Sequence, residues 1–210
     1  MTTRRVSRQI GPDDAVPVHT FFRSGETAAK AVALVDRDGN PATAFLIAED
    51  LAMTNHHVFP DAAAAERVTL RFNYDDAQRK PVRGEVHRLA PKRYFHTNEE
   101  LDYTIVAVTG RPGRQWGFVE LNDWAAVAVG DDVFVVEHPE GKPQQIVPTG
   151  NTVTYVEGHL VRYTADTAIG SSGSPVFGRN WHLAALHHWG DVEFNEGISA
   201  SAIAADWPGR

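Results

Sequence analysis

Residues 169–177 read IGSSGSPVF: two serines enclosed by two glycines, then a third serine, a proline and an apolar pair. Small residues at this density fit a tight surface turn. They also fit a nucleophile that must stand clear of its backbone beside converging amide N–H groups. A serine hydroxyl needs a neighbouring base before it can attack. The charge that then develops on a carbonyl oxygen needs preorganised donors, which a glycine-rich turn supplies from its backbone. Ser172 has glycine two residues before it and one after, so the candidate donors are the amides of Gly170 and Ser172. The G-x-S-x-G elbow does not fit, because glycine falls one position too early.

Two distant stretches supply the partners that such a serine would need. TNHHVF (54–59) places a histidine pair after a short strand, and ELDYTIVAV (100–108) sets Asp102 just before a strongly apolar run. Taken singly, each has an ordinary reading, as a solvated histidine pair or a turn-capping carboxylate. Together they give a Ser–His–Asp set in the chain order His, Asp, Ser. That order differs from the α/β-hydrolase order Ser, Asp, His and from the subtilisin order Asp, His, Ser, and it is the order of double β-barrel proteases.

The rest of the chain reads as short strands separated by turn residues, which agrees with that order. In the first half the strand candidates are 31–35, 42–48, 51–54, 68–72, 82–89 and 103–108. In the second half they are 132–137, 152–156, 159–165, 174–177 and 182–187, with ISASAIAADW as a closing strand or a short helix. Only PDAAAAERV (60–68) reads as helical over more than a turn. The region around 110–130 divides the two groups, so the pattern predicts an all-β protein with two β-subdomains.

Composition narrows the function classes. With 20 Lys+Arg against 27 Asp+Glu, the formal net charge is −7. General binding to nucleic acid or to an anionic membrane needs a basic face, so neither partner is expected. The absence of cysteine excludes disulfides, thiolate metal sites and a cysteine nucleophile. The N-terminal stretch lacks the apolar run of a secretory signal, and no segment approaches a membrane-spanning length. A soluble, cytoplasmic protein is expected.

On the three motifs the chain resembles the trypsin-like serine proteases of chymotrypsin fold, nearest the bacterial branch that includes the glutamyl endopeptidases. Their TN-x-HV motif matches Thr54 to Val58 and selects His57 over His56; their LD and apolar run match Leu101 to Val106; their G-x-SGSPVF matches Gly170 to Phe177. The resemblance runs from about residue 30 to about residue 204 and includes NEGISASAI. It implies two six-stranded antiparallel β-barrels with the active site in the crevice between them. The implied division is a lead-in segment over 1–30, a first barrel over 31–115 with His57 and Asp102, and a second over 116–210 with Ser172 and the specificity pocket. His57 is then the general base, Asp102 its orienting partner, Ser172 the nucleophile, and the Gly170 and Ser172 amides the oxyanion donors. No metal or organic cofactor is expected. The histidine pairs at 56–57 and 187–188 match no zinc motif, and adjacent strand residues point to opposite faces.

Departures from the family bear on specificity and control. Ala42-Thr43-Ala44-Phe45 stands where the family has G-T-G-F, so two added methyl groups could narrow the leaving-group side. Ser171 occupies the place of the Asp that receives a new N-terminal ammonium in zymogen activation, which makes that mechanism unavailable after cleavage near Ile10. Counting from Ser172, Asp166 falls where trypsin carries its specificity carboxylate, which favours a basic residue on the acyl side of the scissile bond (P1). Thr167 and His187 fall where glutamyl endopeptidases recognise an acidic P1. The two readings stay open, as does a pairing of Asp166 with His187; two matches against one tilt towards an acidic or uncharged P1. His188, Trp189 and Gly190 are the candidate strand edge for substrate backbone. The expected partner is a protein or peptide substrate, with a regulatory or effector protein partner in a bacterial signalling or defence setting as a further expectation. A pseudoprotease binding peptides and an esterase using the same triad are the rival readings.

Overall fold

The computed structural model describes residues 15–37, 39–75 and 84–209. Residues 1–14 of the lead-in segment, and the start of the 82–89 strand, lie outside the described residues.

Two seven-stranded antiparallel sheets make up the frame, one from each half of the chain. The first contains β1 (Val32–Asp36), β2 (Ala42–Ala48), β3 (Leu51–Thr54), β4 (Thr69–Phe72), β5 (Glu85–Arg88), β6 (Phe95–Asn98) and β7 (Tyr103–Ala107), in the order β5-β4-β1-β2-β3-β7-β6. The second contains β8 (Phe134–Glu137), β9 (Gln145–Val147), β10 (Val153–Glu157), β11 (Leu160–Tyr163), β12 (Pro175–Phe177), β13 (Leu183–Gly190) and β14 (Asn195–Ser199), in the order β10-β11-β14-β13-β12-β8-β9. Isolated bridges from Leu89 to Val108 and from Asp132 to Thr152 tie near-opposite margins of each sheet together, so each sheet curls towards a barrel.

The sequence reading gave six strands per half, and the seventh in each is a short edge strand. β6 (FHTN) and β9 (QIV) lie at the margins of their sheets, and neither contains a fully buried residue. Ladder hydrogen bonds to β7 and β8 hold them, and these depend on backbone rather than side chain, so no apolar pattern marks them. Central strands show the opposite: β3 and β7 are buried along their whole length and read as nearly continuous apolar runs. The C-terminal ISASAIAADW is both things expected of it in turn. It completes β14 and then enters α4 (Ala200–Asp206), where the Ser199 side chain caps the Ala202 amide at 3.3 Å.

Helix α1 (Val18–Lys30) falls in the segment read only as a lead-in. Its buried or half-buried side recurs at Phe21, Gly25 and Ala28, a helical spacing. Phe21 packs edge-on against Phe134 of β8 at 5.7 Å and against Trp181 at 5.5 Å. The 60–68 helix shrinks to one turn, α2 (Ala62–Ala65), capped by the Asp61 carboxylate.

The larger hydrophobic cluster joins the first sheet to Val136, Phe177, Leu186 and Ile203 of the second half. A smaller one, around Val135, Val153, Tyr163 and Val176, fills the interior of the second sheet. The α4 end also closes onto the first sheet: Tyr103 Oη donates to Asp206 Oδ2 at 2.6 Å, and Trp207 Nε1 donates to Tyr94 Oη at 2.8 Å. The larger cluster therefore spans both halves, which fixes the crevice between them.

Candidate active site

The Thr-Asn that precedes the histidine pair has a structural reason to be there. Thr54, the last residue of β3, donates its hydroxyl to the Thr43 carbonyl at 2.8 Å. The Asn55 side-chain amide donates to the Asp102 carbonyl at 3.0 Å, while the Asn55 backbone carbonyl accepts the Val58 and Phe59 amides at 3.3 Å. The resulting turn sends the two histidines different ways. His56 Nδ1 meets Thr97 Oγ1 at 2.8 Å against the first sheet, and His57 is exposed beside Asp102.

Asp102 reaches His57 from a turn just before β7. Its φ of 40° lies in the left-handed region, which aspartate tolerates better than most residues. The Leu101 amide on Asn98 Oδ1 (3.0 Å) and the Asp102 amide on the Glu99 carbonyl (3.3 Å) hold that turn. Asp102 Oδ1 then accepts the His57 amide at 3.0 Å, and Oδ2 lies 2.9 Å from His57 Nδ1. A second histidine approaches the same oxygen: His188 Nδ1 is 3.3 Å from Asp102 Oδ2. Burial alone would raise the Asp102 carboxyl. Hydrogen bonds from the His188 and His57 rings and from the His57 amide overcome that and hold it well below the usual carboxylate range.

The serine turn is built by the other half of the chain and clipped by the first. Gly170 (φ 100°) and Gly173 (φ 85°) both take conformations that side chains rarely adopt. The amides of Ser171, Gly173 and Ser174 are committed to the carbonyls of Ala168, His187 and Ser171, each at 3.0 Å. Among the described residues the amides of Gly170 and Ser172 have no protein acceptor. Thr43 of β2 fixes the turn twice: its amide donates to the Ser172 carbonyl and its hydroxyl to the Gly170 carbonyl, both at 2.9 Å. Ser171 is fully buried, its Oγ accepting the Ala168 amide at 3.1 Å beside Glu137, whose carboxyl burial pushes up.

His57, Ser172 and the specificity candidates line one open cleft of about 830 Å³. At its base His187 is buried, with Nδ1 2.7 Å from the Tyr163 hydroxyl. Burial first, and then the neighbouring His188 and His57 rings, push the His187 pKa down to about 3, so this ring is neutral. Thr167 donates its hydroxyl to Asn195 Oδ1 at 2.7 Å. Asp166 is exposed in the cleft wall, and among the described residues no hydrogen bond or ion pair joins it to His187, so the pairing considered for them does not form. Of the two extra methyl groups, that of Ala42 belongs to a residue of the cleft wall, whereas Ala44 is part of the first-sheet core.

The strand-edge candidates divide. Among the described residues the β12 side of β13 has no strand partner beyond Leu186, which leaves the Trp189 and Gly190 backbone open along the cleft. His188 belongs there by register only, since its ring turns to Asp102 and, through Nε2, to Glu196 Oε1 at 3.2 Å. Sequence reading passed over Tyr163, Asn195 and Glu196. None lies in a catalytic motif, and each joins the site through cross-strand register, as in the pairings of Tyr163 with Asn195, Arg162 with Glu196 and Gly190 with Asn195; Asn195 lines the cleft itself, while Tyr163 and Glu196 act on His187 and His188.

Two curled antiparallel sheets, with a histidine–aspartate pair from one facing a serine turn from the other, define a chymotrypsin-fold peptidase architecture. A family model for the trypsin-like peptidase domain matches residues 42–186, and the chain belongs to that family. It is similar to a solved Glu endopeptidase (TM-score 0.68, 21% identity, 85% of this chain and 88% of that one) and to Rv3671c from M. tuberculosis H37Rv (TM-score 0.68, 19% identity, 95% and 94%). In sequence it is 32% identical over 204 residues to the uncharacterized protein y4fB of Sinorhizobium fredii (strain NBRC 101917 / NGR234), covering 86% of this chain and 31% of that protein. The chain spans about a third of the length of the curated relatives it matches. The family and the shared fold support a serine peptidase. Among the described residues no helix is long and apolar enough to cross a membrane.

Proposed function

We propose that this chain is a serine endopeptidase that hydrolyses peptide bonds through an acyl-enzyme on Ser172. The observation that carries the reading is the pair of uncommitted amides, Gly170 and Ser172, on a turn that shares its cleft with the His57–Asp102 pair. His57 takes the Ser172 proton as general base and returns it to the leaving amine as general acid. Asp102 keeps the ring in the tautomer with its proton on Nδ1 and stabilises the imidazolium. The two amides receive the developing oxyanion. Substrate adds as an antiparallel strand along Trp189 and Gly190. The setting is cytoplasmic limited proteolysis of specific protein targets, with a bacterial signalling or defence context and a regulatory protein partner as parts of the same proposal.

Pocket chemistry supports a P1 side chain that accepts a hydrogen bond. The buried Tyr163 hydroxyl has His187 Nδ1 as its hydrogen-bond partner among the described residues; we assign the O–H as the donor because a buried hydroxyl needs an acceptor, and that assignment puts the His187 proton on Nε2 as a donor for the cleft. A neutral donor with Thr167 nearby suits glutamate or glutamine. Among the described residues the exposed Asp166 has no buried partner that would hold it as a receptor for arginine or lysine.

The test is labelling with a fluorophosphonate probe, mapped by mass spectrometry, alongside cleavage of a positional peptide library. Adduct on Ser172 and cleavage after Glu or Gln are expected. No adduct and no cleavage would overturn the reading in favour of a peptide-binding pseudoprotease. An adduct with turnover of esters alone would make the chain an acyl-transfer enzyme of another kind, and cleavage after Arg or Lys would give the pocket to Asp166. Within the pocket, His187→Leu is expected to lower kcat/KM for a Glu-P1 peptide by about 10- to 100-fold, the worth of one hydrogen bond to a charged group. Its kcat/KM for an Ala-P1 peptide should stay within a few-fold. The ratio of the two substrates is unaffected by any loss of folded protein.

A further inference from the structure

His188 stands between two carboxylates. Nδ1 is 3.3 Å from Asp102 Oδ2, and Nε2 is 3.2 Å from Glu196 Oε1. Carboxylates accept and cannot donate, so satisfying both contacts requires a proton on each ring nitrogen. Glu196 is itself fixed on its far side, where Oε2 takes Arg162 Nε at 2.7 Å. The Arg162 guanidinium in turn lies over the Phe194 ring at 4.3 Å and the Tyr155 ring at 4.9 Å. A continuous polar chain therefore runs from His57 through Asp102, His188 and Glu196 to Arg162, anchored at its outer end by aromatic stacking. It joins the Asp102 turn to β13, β14 and β11, and so spans both halves of the molecule.

We propose that His188 is a positioning residue of the triad: an imidazolium that bridges Asp102 to Glu196, holds the Asp102 carboxylate on His57 and offsets part of its charge. The inference rests on the serine-peptidase reading given above. Asp102 left with His57 as its only ring partner would bind a protonated His57 more strongly and delay its release as a free base. A cation on the second lone pair of the same oxygen moderates that attraction. The groups facing His188 are Asp102 and His57 from the first half, Glu196 and behind it Arg162 from β14 and β11, and the neutral His187 beside it on β13. Asp191, at the end of β13, acts on Arg162. Burial disfavours the His188 cation, but its bonds to Asp102 and Glu196 outweigh that and raise the ring above the ordinary histidine value. A raised folded-state pKa stabilises the fold most fully below the unfolded histidine value, and the contribution is lost as pH rises through the folded one. The bridge thus belongs to neutral and mildly acidic conditions.

Two measurements test it. In ¹⁵N-histidine-labelled protein, NMR should find both His188 ring nitrogens protonated at neutral pH, with a titration midpoint above that of free histidine. Glu196→Gln should lower that midpoint by roughly half a unit or more. Second, the rate of fluorophosphonate labelling should rise with pH along an acid limb. His188→Asn keeps a donor for Asp102 but removes the charge, and should move that limb up by roughly half a pH unit. A loss of packing alone would lower the plateau without moving the limb. A His188 midpoint at or below the ordinary value, or an unmoved limb in folded His188→Asn, overturns the inference. Wild-type protein that never labels overturns the serine-peptidase reading instead, and the NMR titration still judges the bridge.

Discussion

Ser172→Ala is expected to reduce kcat by about 10⁶, leave KM within a few-fold and abolish fluorophosphonate labelling. In the proposed mechanism the Ser172 hydroxyl is the atom through which His57 and Asp102 act on substrate. The losses should therefore not add: His57→Ala in the Ser172→Ala background should cost almost nothing more. Residual catalysis over water should survive, because the amides of Gly170 and Ser172 are backbone groups that the substitution leaves in place. The fold should be indifferent, with a stability change within about 0.5 kcal/mol. Ser172 is only half-buried, and its structural bond, from the Thr43 amide, is to its carbonyl and not to its hydroxyl. Single-turnover assays with purified wild type and variant check the first part, and urea unfolding checks the second. Cleavage retained at the wild-type rate would assign the activity to another group or another protein.

What the sequence made legible was what chemistry and burial both constrain. Motifs around His57, Asp102 and Ser172 are readable because each fixes backbone as well as side chain. Thr54 and Asn55 are tied to Thr43 and Asp102, and Gly170 and Gly173 take φ values closed to most residues. Buried central strands such as β7 are readable because five consecutive buried positions leave a run of apolar residues. Register is a different matter. That His188 reaches Asp102, or that Tyr163 reaches His187, depends on which residue of β14 lies opposite which residue of β11 on one side and of β13 on the other, and on a bulge between His187 and Trp189. That shift redirects neighbouring side chains, and no local motif announces it. Helix α1 leaves no periodic signal for a related reason. Its contact stripe is Phe21, Gly25 and Ala28, and the central member has no side chain because the Trp181 ring occupies the space where one would go. A glycine at the contact erases the periodic signal at the point where packing is tightest.

Gly173→Ala should be the most damaging single methyl group in this part of the chain, with a loss of about 4 kcal/mol or more. Two effects combine. At φ 85° an alanine accepts the left-handed region at a cost of about 1–2 kcal/mol. Its Cβ would also overlap the Thr43 carbonyl oxygen and Thr54 Oγ1. Neither atom can retreat alone. Thr43 is paired with Leu34 in the β1–β2 ladder, its carbonyl accepts the Thr54 hydroxyl, and its amide and hydroxyl hold the serine turn. Gly158→Ala separates the two effects, since that glycine also has positive φ (58°) but no atom within 4 Å of the added carbon. It should cost only the backbone part, about 1 kcal/mol. Urea midpoints of the two variants measure the difference directly. If the Gly173 variant instead keeps its stability, the turn must have moved off Thr43, and the Gly170 and Ser172 amides with it. Fluorophosphonate labelling at Ser172 should then fall by at least about 100-fold, the effect of losing an oxyanion donor. Stability and labelling both preserved would mean that the turn does not press on β2 and that no clip joins the halves at this site.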